Sequence, residues 1–272
     1  MQLPSVKFAS PPVIETVLSV QFAKVPGMCG AHAGAFWQSV LAPNYSAWKN
    51  AKFAEAPRVA ETFEDFGPEL VMGRLGLAFQ TSEDSMRAQI IQAGEERMIQ
   101  VQDTRFIYNW RKQAGGYPSY SALAPEFHEL REKFENFVVS SGLTPIEPNQ
   151  WEVTYVNHIP KGEMWGSPAD WPSIVPGLYA PQAVPNENTR LDTMNAAWRV
   201  RLPDNRGRLH LTLQHGRVDK TEVMILQLLA RGPIDQKAGL TLSAGLELGH
   251  ATITQTFRAM TSAKAHIAWG GD

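Results

Sequence analysis

One order of patterns occurs twice along the chain. An extended segment, an irregular insert, three short strands and one long amphipathic helix fill residues 11–141, and the same order returns over 149–265. The expected fold class is therefore α+β, built from duplicated β-(insert)-βββ-α units that join into one antiparallel sheet. Two long helices pack on one face of it, in a saddle or helix-grip arrangement, and leave the other face open to bind. The division falls between an N-terminal half, 1–145, and a C-terminal half, 146–272, which together form one compact pseudo-duplicated unit. Residue identity between the halves is poor, and α+β domains often alternate hairpins with helices, so chance also accounts for the repeated order.

The individual elements rest on periodicity. In PVIETVLSVQFA (12–23), Ile14, Thr16, Leu18, Val20 and Phe22 alternate with Glu15, Ser19 and Gln21, the signature of a strand with one buried face. A short helix is expected over 31–41, irregular chain over 42–80 with one strand at 70–79, and strands at 86–92, 97–102 and 105–111. Residues 119–140 carry Tyr120, Leu123, Phe127, Leu130, Phe134 and Phe137 at spacings of three and four, one apolar helical stripe. Ser119 is placed to cap that helix and Gly142 to end it. WEVTYVNHIP (151–160) alternates again. A Pro-rich insert follows at 161–190, read as a surface excursion because its prolines exclude sheet pairing. Strands at 196–202, 208–215 and 222–230 precede a last helix over 240–264, whose apolar side bears Leu246, His250, Ile253, Phe257 and Met260.

With 43% apolar and 19% charged residues among 272, the chain can bury a substantial core, and a formal charge of −2 gives no global bias toward nucleic acid or membrane. A single cysteine, Cys29, precludes an internal disulfide and fits a reducing, cytoplasmic setting. The start, MQLPSVKFASPPV, lacks the pattern of a signal peptide, and no apolar run approaches the roughly 20 residues of a membrane helix.

Several strings occur together: PPVIETVLSVQF, FIYNW followed by YPSY (106–120), TYVNHI (154–159) and GHATITQTFRAMTSAKAHIAWG (249–270). In this combination the chain resembles a sporadically distributed family of bacterial proteins for which no reaction is established. The resemblance spans nearly the whole chain. It implies mobile or defence-associated genes and an antitoxin-like, partner-binding role, and it transfers no catalytic residue.

The sequence carries no phosphate loop, dinucleotide fingerprint, nucleophile elbow or HExxH, which argues against the common nucleotide-binding and hydrolase chemistries. No metal site or cofactor is expected; His210 and His215, five apart on one strand, face opposite ways. Three groups remain. Glu15, Asn109, Trp110, Asn157 and His250 suit a polar cleft between the halves, where a Glu/His pair does acid–base work if burial raises the carboxyl pKa; each also suits a purely structural role. Tyr117 and Tyr120, in NWRKQAGGYPSY with Trp110, suit aromatic stacking on a ligand or packing of the loop onto its helix. Arg199, Arg201, Arg206, Arg208 and Arg217 form a basic edge that meets an acidic protein or phosphates, or simply solvates a sheet face. The leading reading is a non-enzymatic cytoplasmic binding protein that engages an unidentified protein through these arginines. The alternatives are a small-ligand binder or enzyme using the cleft, and an RNA-binding protein using the sheet.

Overall fold

The computed structural model describes residues 8–59, 86–179, 191–236 and 238–271. The chain is a mixed α+β protein built on one nine-stranded antiparallel sheet. The strands are β1 (Val13–Phe22), β2 (Lys52–Pro57), β3 (Met86–Ile91), β4 (Arg97–Gln102), β5 (Arg105–Arg111), β6 (Pro148–Pro160), β7 (Asn195–Arg201), β8 (Arg208–Val218) and β9 (Thr221–Pro233). Their order is β2-β3-β4-β5-β1-β6-β9-β8-β7. Outward from the central β1–β6 pair, the order therefore reads the same on both sides until β2 is added at one edge.

Among the described residues, four α-helices longer than a single turn accompany the sheet: α1 (Gly30–Phe36, continued by a π turn over Trp37–Leu41), α2 (Tyr120–Ser140), α3 (Leu242–Met260) and α4 (Ala263–Ala268). The stripe of α2 is buried from Tyr120 to Val138, with Phe134 stacked on Phe106 of β5 at 5.0 Å. Helix α3 lies against β6 and β9. Its Gly245 and Gly249 fall directly over Trp151, so close that a methyl group at Gly249 would sit 2.8 Å from Trp151 Cζ3 and 2.9 Å from Val153 Cγ2. Phe106 and Trp151 are both cross-strand neighbours of Val20.

Several expectations need correction. Ser119 does not cap α2: it sits at φ 72° with no side-chain capping bond, its hydroxyl turned to Ser121 Oγ at 2.9 Å. Gly142, at φ +75°, does follow the helix, where Leu143 N–H donates to Val138 O and Gly142 N–H to Val139 O, satisfying carbonyls that a helix end leaves open. The helix expected over 240–264 breaks at Thr261, which is extended and donates its hydroxyl to Phe257 O; Ser262 then caps α4 by accepting from Ala265 N–H. The described part of the Pro-rich insert is not a surface excursion. Trp165, Trp171, Ile174 and Val175 are buried, and Trp165 Nε1 donates to Ile159 O, because proline forbids sheet pairing without forbidding burial of its neighbours. Strand β2 lies in a stretch read as irregular. The strand expected at 70–79 lies outside the described residues.

Ala exceeds Gly in helix propensity by about 1 kcal/mol, but packing leaves no room for its methyl at Gly249. Gly249→Ala is expected to destabilise the protein by about 2 kcal/mol, read from the urea unfolding midpoint. A midpoint at or above that of the parent would contradict the contact with Trp151.

Candidate functional site

The sheet's alternation sends Leu18, Val20, Phe106, Tyr108, Trp110, Trp151, Val153, Tyr155 and Asn157 to one face. The intervening residues, Glu15, Ser19, Arg105, Asn109 and Glu152, go to the other face. A cleft of about 1310 Å³ opens between the N-terminal part of α2, the middle of α3 and residues of β1 and β6. Its wall is mixed: Tyr117, Tyr120, Tyr155 and His250 meet apolar Val13, Leu228 and Ile253. The cleft is larger than the roughly 300–1,000 Å³ of ordinary small-molecule sites but shares their combination of apolar wall and convergent polar groups.

Three side chains in the cleft wall form a continuous hydrogen-bonded chain. The Tyr117 and Tyr155 hydroxyls are 2.9 Å apart, and the Tyr155 hydroxyl is 2.8 Å from His250 Nδ1. The register explains the convergence: Tyr155 pairs with Thr16 on β1, Thr16 pairs with Trp110 on β5, and the Trp110 ring meets Tyr117 edge-on at 5.3 Å. Two tyrosines meet the imidazole, one on a face and one at its edge. Tyr120 stacks on it at 4.1 Å with planes 4° apart, and Tyr155 lies at 6.0 Å and 30°. Burial pushes His250 down to about 4 from 6.5, so the ring is neutral at pH 7. Burial likewise raises Tyr117, Tyr120 and Tyr155, the Tyr155 phenol well above its usual range, and the Glu247 carboxylate beside Tyr120 adds to the rise there. All three phenols therefore stay protonated.

Of the residues proposed from sequence for a cleft, Tyr117, Tyr120, Asn157 and His250 line it. Asn157 also donates to Leu226 O at 3.0 Å. Trp110 is fully buried, its Nε1 donating to Glu96 Oε1 at 3.0 Å, and it supports Tyr117 from beneath instead of lining the cavity. Glu15 and Asn109 are on the opposite sheet face. There Asn109 donates to Glu15 Oε1 at 2.8 Å and accepts from Gln100, which in turn accepts from Gln89. Desolvation raises the Glu15 pKa, with Asn109 opposing the rise. The sheet itself separates Glu15 from His250, so they do not form an acid–base pair.

The arginines divide as well. Arg199 and Arg201 are exposed on β7, with Arg199 Nε donating to His210 Nδ1 at 3.2 Å. Arg201 pairs with Arg208, and Arg208 with Arg231 of β9. Arg206 lies in the turn before β8. Arg217 sits at the far end of β8, roughly 30 Å from Arg208 by strand rise, and so belongs to no common patch. The sequence reading missed the inward continuation of this basic row. Arg231 and Arg105, 3% and 1% exposed, both approach Glu152 Oε2, at 3.7 and 3.4 Å. The available signal was an arginine bordering an apolar run in each strand, Arg105 before β5's and Arg231 after β9's. Among the described residues no group of three or more His, Cys, Asp or Glu is placed to hold a metal ion, and no helix is long and apolar enough to cross a membrane.

No family model matches the chain, and no curated protein matches it. Among solved structures it is similar to DynU16, a protein in the dynemicin biosynthetic locus, at 13% identity over 92% of this chain and 96% of that one, with a TM-score of 0.28. A likeness that weak carries no argument.

The depressed His250 pKa has a thermodynamic consequence. Between pH 6.5 and about 4 the unfolded chain binds a proton that the folded ring refuses, so this group's contribution is fully present above pH 6.5 and is lost as pH falls toward 4. The loss reaches at most about 3 kcal/mol. His250→Phe is expected to flatten the dependence of the urea midpoint on pH across that window. An identical slope in the variant and the parent would show that His250 is not the group responsible.

Proposed function

We propose that the protein binds a small, largely apolar organic ligand in the cleft between its two halves. The observation that carries this reading is the cavity of about 1310 Å³ on which the Tyr117–Tyr155–His250 chain converges. The halves are read as related β-βββ-α units whose long helices grip one face of a shared sheet. The strand order, symmetric about β1 and β6, supports this, as does the common neighbour Val20 of the two helix-contacting residues Phe106 and Trp151. In such an arrangement a cavity forms where the helices diverge over the central strands, which is where Tyr155 lies.

Ala251 on α3 lines the cleft beside His250. Ala251→Trp fills it from a helix position without touching the sheet. Binding of a fluorescent arylnaphthalene sulfonate probe is expected to weaken at least tenfold, with the far-UV spectrum unchanged. Undiminished probe binding by a folded Ala251→Trp protein would reject the cleft as the site.

A second reading, a protein partner along β7, is favoured by one observation. Trp198 and Val200 are 38% and 48% exposed on this edge strand, alternating with the cationic Arg199 and Arg201. Among the described residues β7 has a strand neighbour on one side only. The occupant that fits is an acidic, extended protein segment, paired through its backbone and matched in charge. Arg199→Glu combined with Arg201→Glu is expected to abolish co-purification of such a partner while leaving probe binding in the cleft intact. Retention of the partner by this variant would remove the edge from consideration.

A further inference from the structure

The cleft does more than supply an apolar volume, because it presents His250 in a restricted way. Tyr120 covers one face of the imidazole at 4.1 Å, and Tyr155 meets the ring at its edge. A ligand cannot stack on the Tyr120 side of this ring; the polar contacts the ring offers are at its edge, in the imidazole plane. One atom of that edge, Nδ1, is already engaged by the Tyr155 hydroxyl at 2.8 Å. The other nitrogen, Nε2, has no hydrogen-bond partner among the described residues, yet it is not sealed from solvent. His250 thus offers a ligand a single directional contact.

The character of that contact follows from acid–base chemistry. A phenol is a stronger acid than a neutral imidazole N–H, and an imidazole nitrogen is a stronger base than a phenol oxygen. The proton shared by Tyr155 and His250 therefore resides on the phenol, which donates to Nδ1. The Tyr155 oxygen then accepts from the Tyr117 hydroxyl at 2.9 Å, which reinforces the same polarity along the chain. With Nδ1 accepting and the ring neutral, the ring proton must be on Nε2. The partner of one ring nitrogen sets the tautomer of the other.

We infer that the ligand of the cleft carries a carbonyl-type acceptor oxygen on an apolar body, held in the imidazole plane by the Nε2–H of His250, with Tyr155 and Tyr117 as positioning residues that lock this tautomer. The inference rests on the cleft reading above and narrows it to ketone, amide or ester oxygens. Other charged or titratable groups face this region: Glu247, Arg258, His128 and the Tyr120 hydroxyl. Glu247, beside Tyr120, disfavours an anionic oxygen at this end and so favours a neutral carbonyl over a carboxylate.

The test has two independent arms. In the first, the full chain is labelled with 15N at histidine, and the His250 signals are assigned by their loss in His250→Phe. At pH 7 the Nε2–H form is expected, with a measurable population of the Nδ1–H form appearing in Tyr155→Phe. A predominant Nδ1–H form in the unmutated protein overturns the inference while leaving the cleft reading untouched. In the second, affinities are measured for 2-acetylnaphthalene and for 2-isopropenylnaphthalene, which differ only in replacement of the carbonyl oxygen by CH2. The ratio of the two affinities cancels their shared apolar contribution within each protein. That ratio is expected to fall about fivefold from the parent to His250→Phe, the return of one neutral hydrogen bond. Both probes binding with an unchanged ratio overturns the carbonyl contact alone. Neither probe binding up to its solubility limit overturns the cleft reading with it.

Discussion

The pairing of β1 with β6 is the constraint on which the rest of the structure depends. It is the only seam at which the two halves share backbone hydrogen bonds within the described sheet, and every outer strand takes its register from it. A slip of one residue in β1 would exchange Leu18 and Val20 for Val17 and Ser19 under the helices and turn Glu15 toward the cleft. It would also displace Thr16 from Tyr155, the contact around which Trp110, Tyr117 and His250 gather. The apolar alternation on both strands opposes such a slip, since Leu18 and Val153, a cross-strand pair, are both fully buried.

Helix α3 meets this seam through two different surfaces on adjacent turns. Gly245 and Gly249 let the helix backbone come down on Trp151, which excludes solvent and fixes the helix height above β6. The next two residues, His250 and Ala251, face the cleft. The close contact sets the position of the imidazole, because a rigid helix transmits the height fixed at Gly249 to its neighbour. Burying the polar chain in that setting is tolerable only because each hydroxyl finds a partner. An unpaired phenol or imidazole nitrogen at the same depth would cost about 1–3 kcal/mol.

Much of this architecture was legible in the sequence, and the gaps have physical causes. Period-two alternation located β1 and β6, and the stripe from Tyr120 to Phe137 located α2, because each element buries one face. Strand β2, KFAEAP, escaped because its side chains are nearly all exposed; it is a strand by backbone pairing to β3 and leaves no periodic trace. The break at Thr261 escaped because neither Gly nor Pro marks it, only a threonine hydroxyl competing for a helix carbonyl. For the site, alternation showed that Glu15 and Leu18 face opposite ways, but not which face the helices would cover relative to His250. That depends on which strands become neighbours, a nonlocal outcome that also hid the row running from Arg201 through Arg208 and Arg231 to Glu152.

The separation of Glu15 from His250 narrows what chemistry the cleft can support. Side chains on opposite faces of one sheet cannot exchange a proton directly, so any reaction needing that carboxylate beside the imidazole is closed to this protein. The carboxylate that the cleft does contain is Glu247, three residues before His250 on the same helix. Residues at that spacing lie on one helix face, about 5–6 Å apart at their Cβ atoms. Tyr120 bridges them, stacked on the imidazole and with its hydroxyl beside the carboxylate. Acid, phenol and imidazole are thus carried by α3 and the first turn of α2, with β6 beneath them through Trp151 and Tyr155. Their geometry depends on how those two helices meet each other and β6, and not on the register of the outer strands.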